Sequence, residues 1–322
     1  MKKLRCAVIG VGYLGHFHAQ KYQQIEHAEL VAVCDIDPDV AKKVSQALNV
    51  APFIDYHDLF GRVDAVSIAA TTQFHYDIAK ACLAQGIHVL LEKPMTQTVE
   101  EAESLVQLAI EQGVKLQIGH LERFNAARLA LTPYLHEPLF IESHRLAPYT
   151  PRGADVNVVL DLMIHDIDII QSIVNAPIRS IDAQGAPVLS SSIDIANARI
   201  TFESGCVANV TASRVSFKTE RKTRIFQRHS YISVDYQEKQ FAVFEKGDGE
   251  MFPGIPNVLR HQIDIEKTDA LLEEIKAFTR CIIDDTQPLV TAEEGKSALA
   301  TAAAITQRIE NHLTQHDTTT NV

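Results

Sequence analysis

The 322-residue chain is 46% hydrophobic and 22% charged, which predicts two folded globular domains rather than a disordered polymer. Its formal net charge of −11 argues against a broad nucleic-acid or anionic-membrane surface, and no stretch approaches the roughly 18 consecutive apolar residues of a membrane span. The five cysteines are widely spaced, with no Cys-x-x-Cys or Cys/His metal pattern, so we expect reduced thiols, no bound metal and a cytoplasmic location.

The first 120 residues alternate between short apolar runs and helical segments. The predicted strands are 4–9, 30–34, 65–69, 87–91 and 115–118, and the predicted helices are 15–24, 37–48, 75–85 and 99–112. Because strand–helix–strand crossovers are right-handed, this order predicts a doubly wound parallel sheet with helices on both faces. We assign it to a first domain, residues 1–122.

The pattern changes beyond residue 120. The predicted elements are a long helix at 156–174, period-2 runs at 196–202, 207–213, 223–227, 231–235 and 241–244, and helices at 269–283 and 292–312. They predict an α+β second domain, residues 123–322, with an open, mostly antiparallel sheet and a C-terminal helix that can pack back on the first domain. A homodimer or homotetramer is expected to cover the open face.

A glycine-rich turn, Gly10-Val11-Gly12-Tyr13-Leu14-Gly15, joins the first strand to the first helix. Gly10 permits the tight turn, Gly12 lets the backbone approach a pyrophosphate, and Gly15 lets the helix pack on the strand. The helix N-terminus attracts phosphates, while Asp35, which ends the second strand, suits the ribose hydroxyls of NAD and repels the 2′-phosphate of NADP. This context predicts an NAD-binding Rossmann domain. A purely structural glycine turn is the alternative.

Two further motifs have the composition of a catalytic site. Glu92-Lys93-Pro94 follows the fourth strand, at the carboxyl edge where such sheets bind ligands. On the 156–174 helix, a polar stripe interrupts an otherwise apolar surface and comprises Asp161, His165, Asp168 and Ser172. A buried stripe of this kind must face something other than hydrocarbon, and a structural hydrogen-bond cluster is the alternative to a catalytic site. Asp166 lies off the stripe, so we expect an arginine or a backbone N–H to pair with it.

Together these motifs resemble those of the glucose–fructose oxidoreductase/inositol dehydrogenase (Gfo/Idh/MocA) family. The resemblance rests on Gly10-x-Gly12-x-x-Gly15, Glu92-Lys93-Pro94, Arg123-Phe124-Asn125, Asp161-x-x-x-His165-x-x-Asp168, a Glu273/Phe278 helix and the turn at 288–295. It implies a Rossmann domain, a C-terminal domain with an open, mostly antiparallel sheet, and NAD-dependent oxidation of a sugar or cyclitol carbinol.

The resemblance also implies roles for individual residues. Lys93, Asp161 and His165 form the implied catalytic set, with His165 accepting the hydroxyl proton, Asp161 orienting it and Lys93 stabilising the alkoxide. The implied cofactor contacts beyond the glycine turn are Thr71, Thr72, His75, Glu92 and Lys93. The sequence departs from the commoner family pattern at Met163, where glycine is frequent, and at Thr71-Thr72, which replace Pro-Asn.

Basic residues cluster between 115 and 152. They are Lys115, Arg123, Arg128, Arg145 and Arg152, against the acids Glu122, Glu137 and Glu142. Arginine suits phosphate, which favours a small anionic substrate, although arginines occupied by surface salt bridges are the alternative. Residues 119–125 and 161–168 most resemble the nucleotide-sugar 3-dehydrogenase branch of the family. That resemblance implies oxidation at C3 of a substrate such as UDP-N-acetylglucosamine, for lipopolysaccharide or lipid A precursors, and functional coupling to an aminotransferase. The expected substrate contacts are His120, Arg123, Arg145, Arg152 and His165.

Other interpretations remain open at this point. An inositol or free-sugar dehydrogenase needs fewer arginines than a nucleotide-sugar enzyme. A non-catalytic NAD-binding sensor needs no intact set of Lys93, Asp161 and His165, so the presence of all three argues against it. A metal enzyme is disfavoured because His165 and Asp161 alone make a poor ligand set.

Overall fold

The computed structural model describes residues 3–150, 156–263, 265 and 268–319. The chain divides into two compact units, Met1–Phe124 with Asp269–Leu299, and Asn125–Thr268 with Ala300–Val322. The sequence-based division placed everything after residue 122 in the second domain, whereas residues 269–299 belong with the first unit. Among the described residues, no helix combines the length and hydropathy that a membrane crossing requires.

The first unit contains a six-stranded parallel sheet in the order β3-β2-β1-β4-β5-β6. Its strands are β1 Leu4–Ile9, β2 Ala28–Cys34, β3 Ala51–Phe53, β4 Ala65–Ile68, β5 His88–Glu92 and β6 Leu116–Gly119. This is the strand order of a Rossmann fold, so the predicted doubly wound sheet is confirmed. The sequence analysis missed β3, since three residues that include Pro52 are too short to show a period.

The α-helices alternate with these strands and then recur in the second half of the chain. In chain order they are α1 Tyr13–Tyr22, α2 Pro38–Leu48, α3 His75–Ala84, α4 Val99–Gln112, α5 Ala126–Leu131, α6 Ile164–Val174, α7 Ala270–Ile283 and α8 Ala292–Thr319. Short 3₁₀ turns lie at Tyr56–Leu59, Thr72–Phe74, Leu121–Phe124 and Thr132–Tyr134, and a π-helical turn at Val159–Met163.

Helix α7 belongs to the first unit because its apolar face completes that unit's core. Leu271, Ile275 and Phe278 pack in one buried cluster with residues of the sheet and of α1 such as Val8 and Tyr22. Burial of side chains of this size contributes roughly 1.5–3 kcal/mol each, which ties α7 to the first unit.

The second unit contains an eight-stranded sheet in the order β14-β13-β12-β11-β7-β10-β9-β8. Its strands are β7 Phe140–Leu146, β8 Ile178–Ala186, β9 Ile195–Phe202, β10 Val207–Ser213, β11 Glu220–Phe226, β12 Ser230–Asp235, β13 Gln240–Phe252 and β14 Ile255–Ile263. Only the β7–β10 pairing within this described sheet is parallel, which confirms the mostly antiparallel sheet. The sequence analysis missed β7, β8 and β14. In β7 the buried positions include Ser143 and Arg145, so the strand shows no apolar alternation.

A buried ion pair anchors the segment that precedes the π-helical turn. Arg214 Nε donates to Asp194 Oδ1 at 2.8 Å, and Arg214 Nη1 donates to the carbonyl oxygen of Val156. The other carboxylate oxygen of Asp194 accepts the backbone N–H groups of residues 188–190. Burial opposes ionisation, but hydrogen bonds from Ser190, Arg214 and these backbone groups together hold the pKa of Asp194 well below its usual range.

We expect Asp194→Asn to lower the free energy of unfolding by about 3–5 kcal/mol at pH 7, because Arg214 is left buried without its counter-charge. Glu203→Gln is the matched control, since Glu203 pairs with Arg179 at an exposed site and its loss costs less than about 1 kcal/mol. Urea denaturation measures both. A carboxyl whose folded pKa is depressed stabilises above its unfolded pKa of ~3.9, so the difference between wild type and Asp194→Asn shrinks as pH falls below that value. Equal losses in the two variants would contradict this account.

Candidate active site

The glycine turn is sterically constrained at two positions and open at the third. Gly10 has φ +80°, and a Cβ there would lie 2.6 Å from the backbone nitrogen of Ala70. A Cβ on Gly15 would lie 1.8 Å from the carbonyl oxygen of Gly10. Within the described structure, nothing lies within 4 Å of a Cβ placed on Gly12. The turn therefore packs α1 tightly on the sheet while leaving space in front of its central glycine.

Asp35 lies immediately after β2 and is fixed by the same turn. Its Oδ2 accepts the backbone N–H of Val11 at 2.8 Å, and its Oδ1 accepts that of Asp37 at 3.0 Å. The side chain is half-buried, and each oxygen retains a lone pair. In the same loop Leu14 is half-buried and Tyr13 is 68% exposed. An open central glycine, a helix N-terminus and an oriented carboxylate fit the pyrophosphate and ribose of NAD.

The predicted Thr71, Thr72 and His75 follow β4: Thr71 precedes the 3₁₀ turn Thr72–Phe74, and His75 begins α3. Thr71 is exposed and Thr72 half-buried, but His75 is buried. The ring nitrogens of His75 lie 2.9 Å from the carbonyl oxygens of Pro94 and Ala70. Burial lowers the pKa of His75. Because both ring nitrogens contact backbone, His75 joins the segments that follow two strands, and its contact with the cofactor stays a prediction.

The Glu92-Lys93-Pro94 segment divides between the interior and the surface of the first unit. Lys93 is half-buried, whereas Glu92 is buried and its carboxylate contacts His18 Nε2 at 3.0 Å and the backbone N–H of Lys93 at 3.3 Å. The carboxyl group of Glu92 therefore faces inward, and its role as a cofactor contact stays a prediction.

Sequence analysis missed Glu274, which lies close to His18 and Glu92. The family resemblance drew attention to Glu273, yet the side chain of Glu273 is 37% exposed whereas Glu274 is fully buried. The available signal was spacing, because residue 274 falls on the apolar stripe that Leu271 and Phe278 define at i±3 and i±4. A carboxyl group on such a stripe marks a buried polar site.

The segment that contains Asp161 and His165 is not the single long helix predicted for 156–174. It comprises the π-helical turn Val159–Met163, which contains Asp161, followed by α6, which contains His165. The Asn157 side chain caps the turn by accepting the N–H groups of residues 159 and 160. A π turn adds a residue and rotates what precedes it, so the spacing of ~100° per residue does not extend through Asp161. Such turns are frequent at functional sites.

Burial divides the predicted stripe of the second unit. Asp161 and His165 are half-buried, while Asp168 is 2% exposed. Ser172 accepts a hydrogen bond from Arg128 and donates to a carbonyl oxygen within α6. Asp161, His165 and Ser172 are therefore all partly accessible, and Asp168 is the buried member of the stripe.

Asp166 has the arginine partner that sequence analysis expected. Arg145 Nε donates to Asp166 Oδ2 at 2.6 Å, and Ser143 Oγ donates to Asp166 Oδ1 at 2.9 Å. The side chains of Arg145 and Asp166 are 4% and 1% exposed. The predicted substrate contact by Arg145 is therefore corrected, because its guanidinium neutralises a buried carboxylate inside the second unit.

The remaining predicted substrate contacts have mixed outcomes. Arg123 Nη2 donates to Glu294 Oε1 at 2.8 Å and to the carbonyl oxygen of Leu289, and its side chain is 10% exposed. This pairing corrects the expectation that Arg123 binds substrate phosphate. His120 is buried, and Arg152 lies outside the described residues. Arg123 and Arg145 do form salt bridges, as the alternative expected, although the Arg145 pair is buried and the Arg123 pair partly buried rather than on the surface.

We expect Gly15→Ala to disrupt the turn, because its methyl group would overlap the carbonyl oxygen of Gly10. The variant should lose several degrees of thermal stability and bind NAD weakly. Gly12→Ala is the matched control and should keep the wild-type unfolding temperature, while its methyl group weakens NAD binding by about tenfold or more through the lost approach of backbone to pyrophosphate. Thermal unfolding and NAD titration measure both variants. Wild-type stability in Gly15→Ala would contradict the described packing.

Comparison with known proteins identifies similarity along most of the chain. Residues 4–120 match the model of an oxidoreductase family with an NAD-binding Rossmann fold (Gfo/Idh/MocA). Residues 135–232 match the C-terminal domain of the same family.

Several characterised proteins are similar over nearly their full length. UDP-N-acetylglucosamine 3-dehydrogenase from Acidithiobacillus ferrooxidans is 36% identical over 318 residues, covering 97% of this chain and 99% of that protein. The NAD⁺-dependent scyllo-inositol 2-dehydrogenase of Bacillus subtilis is 26% identical, covering 96% and 95% of the two chains.

Solved structures give the same result. A structure of the A. ferrooxidans UDP-N-acetylglucosamine 3-dehydrogenase superposes with a TM-score of 0.92, covering 97% of this chain and 99% of the other. Scyllo-inositol dehydrogenase from Lactobacillus casei, solved with NAD(H) and scyllo-inositol, superposes with a TM-score of 0.79 at 23% identity, covering 97% and 98% of the two chains. At that identity the second likeness establishes the fold alone.

Proposed function

The chain belongs to the Gfo/Idh/MocA family of NAD-binding oxidoreductases, and from that premise we propose that it oxidises the C3 hydroxyl of a nucleotide sugar, UDP-N-acetylglucosamine, to a ketone. The observation that carries this proposal is the full-length similarity to a UDP-N-acetylglucosamine 3-dehydrogenase, in sequence and in structure. The arginine cluster no longer supports the substrate, because Arg123 and Arg145 are engaged in internal ion pairs.

This proposal assigns catalytic roles to three side chains. Lys93 follows β5 in the first unit, and Asp161 and His165 occupy the π-helical turn and the first turn of α6 in the second. Each of the three side chains is half-buried, which suits a group that must be oriented and still contact substrate. We assign to His165 the removal of the hydroxyl proton, to Asp161 the orientation of that transfer, and to Lys93 the stabilisation of negative charge on the oxygen.

NAD, when bound, accepts the hydride from the carbinol carbon. Its holding residues in this proposal are Gly10, Gly12 and Gly15 at the pyrophosphate and Asp35 at the adenosine ribose, with Tyr13, Leu14, Thr71 and Thr72 lining the loops. A positive charge ~4 Å from the developing alkoxide is worth about 4 kcal/mol at an effective dielectric of ~20, which makes Lys93 a substantial contributor to rate.

An inositol or free-sugar dehydrogenase is the second candidate. It is favoured by one observation, the nearly full-length match to an NAD⁺-dependent scyllo-inositol 2-dehydrogenase. The lower identity of that match ranks it below the nucleotide-sugar function. A non-catalytic sensor is disfavoured because Lys93, Asp161 and His165 are all present.

The proposal also includes a homo-oligomeric assembly and a partner enzyme that uses the product. The outer face of the second unit's sheet carries half-buried stacked rings, Phe140, Phe226, Tyr231 and Phe244, with centroids 4.4–5.8 Å apart. An aromatic face of this kind supports a homodimer or homotetramer, which sedimentation velocity measures. A sugar with a ketone at C3 is a substrate for amino-group transfer, so the product suits a partner aminotransferase.

We expect Lys93→Ala and His165→Asn each to lower turnover by at least about 100-fold while NAD still binds, because each removes a group that acts on the reacting hydroxyl and the glycine turn that holds the cofactor is unchanged. The assay follows NADH formation with UDP-N-acetylglucosamine, free N-acetylglucosamine, scyllo-inositol and myo-inositol, and only the first should be turned over efficiently.

Lys80→Ala and His57→Asn serve as matched controls, since both side chains bond to near neighbours in the sequence, Tyr76 and Asp55, at exposed sites of the first unit. They should retain wild-type turnover. Turnover of inositols with none of UDP-N-acetylglucosamine would favour the second candidate, and near wild-type rates in Lys93→Ala and His165→Asn would eliminate the catalytic assignment.

A further inference from the structure

Three titratable side chains meet in the interior of the first unit, behind the segment that carries Lys93. His18 from α1, Glu92 from β5 and Glu274 from α7 each place a nitrogen or oxygen atom within 4.8 Å of the others. Their exposed fractions are 0%, 7% and 0%. The proposed mechanism assigns no role to His18 or Glu274, so the cluster requires its own explanation.

The two carboxyl groups have unequal surroundings. The Glu92 side chain has two polar contacts, since His18 Nε2 lies 3.0 Å from its Oε1 and the Lys93 backbone N–H donates to its Oε2 at 3.3 Å. Among the described residues, neither side-chain oxygen of Glu274 receives a hydrogen bond. A negative charge on Glu274 would be energetically unfavourable for two reasons. The buried carboxylate would have no hydrogen-bond donors in the described part of the chain, and a second carboxyl group, that of Glu92, lies close to it.

We propose that the Glu92–Glu274 pair holds a single proton at neutral pH, carried by Glu274, whose neutral carboxyl group faces the Glu92 carboxylate. The pair of carboxyl groups then has one negative charge, and the Glu92 side chain holds the backbone nitrogen of Lys93. Glu274 is a positioning residue that acts through Glu92. The effect of Glu274 on catalysis depends on the proposed function of Lys93, whereas the protonation state of Glu274 is independent of that function.

The other groups around Glu274 leave this arrangement intact. From α1, Tyr22 faces Glu274, but its hydroxyl bonds to Ser67 at 2.8 Å, while Lys21 pairs with Asp269 at the start of α7. From β6, Gln117 donates to the backbone carbonyl of Glu274. The turn Leu121–Phe124 also packs on α7, and its charged residues are Glu122 and Arg123, the latter bonded to Glu294.

The arrangement has a defined pH signature. Burial, and then the charge of Glu92, raise the pKa of Glu274 well above its usual value. The folded protein therefore keeps a proton that the unfolded chain releases above about pH 4.3. Because the folded state then binds more protons than the unfolded state, stability declines as pH rises from that value toward the folded pKa. A glutamine side chain at position 274 does not titrate in this range, so the variant should lack this decline in stability with rising pH.

Glu274→Gln in the full-length protein with NAD tests the proposal, and Glu273→Gln is the matched control on the exposed side of α7. At pH 7 the infrared spectrum of the wild type and of Glu273→Gln should contain the C=O stretching band of a protonated carboxylic acid, and Glu274→Gln should lack it. The unfolding temperature of Glu274→Gln should rise relative to wild type as pH increases between about 5 and 9. Its turnover should stay within about threefold of wild type at neutral pH and decline less at alkaline pH.

Two results would overturn the proposal. The first is a wild-type infrared spectrum in which no protonated-carboxyl band depends on Glu274. The second is one equivalent of a tightly bound divalent cation in the wild type that Glu274→Gln loses, since the cation would then balance the two carboxylates. The infrared measurement requires no substrate, so a failure of the proposed sugar-nucleotide activity leaves this test unaffected.

Discussion

Parallel strands end at the same edge of a sheet, and this constraint organises the first unit. β1, β2 and β5 deliver Gly10, Asp35 and Lys93 to that edge, with the glycine turn so closely packed that Gly15 has no room for a side chain. The turn in turn orients the Asp35 carboxylate through the backbone N–H of Val11. The strand order and the close packing of the glycine turn therefore place the cofactor site and Lys93 at one edge of the sheet. This arrangement involves residues of the first unit.

In each unit, buried polar groups support the segments that carry the proposed catalytic residues. In the first unit His18, Glu92 and Glu274 lie beneath Lys93. In the second, Arg145 pairs with Asp166 on the buried side of α6, and Arg214 links Asp194 to Val156, in the segment before the π-helical turn. Ion pairs of this kind contribute little net stability compared with apolar packing, but they penalise any alternative placement of their partners. Along the chain, these buried groups adjoin the segments that carry Lys93, Asp161 and His165. This fits a role in fixing the geometry of those three residues rather than in raising the stability of the fold.

Most of the helices and strands could be predicted from the sequence, whereas the surroundings of several side chains could not. Both outcomes have the same physical cause. Apolar periodicity reports which face of an element is buried, so it located β1, β2 and α4, and it failed for β7, where Ser143 and Arg145 occupy buried positions. Composition likewise counts charges without their partners. Arg123 and Arg145 look like phosphate ligands in the sequence, whereas their carboxylates lie far along the chain, at Glu294, or on a different element, at Asp166. The choice between Glu273 and Glu274 depends on helix phase, which the spacing of the neighbouring leucine and phenylalanine determines.

The central claim is that a C3 hydroxyl of a nucleotide sugar is the group oxidised. UDP-N-acetylglucosamine carrying deuterium at C3 of the sugar tests it most directly, with mass spectrometry of the nicotinamide product after a single turnover. The account predicts reduced cofactor that contains one deuterium atom and a sugar nucleotide that has lost it. Reduced cofactor without deuterium, or label retained on the sugar while a free cyclitol is oxidised, would contradict it.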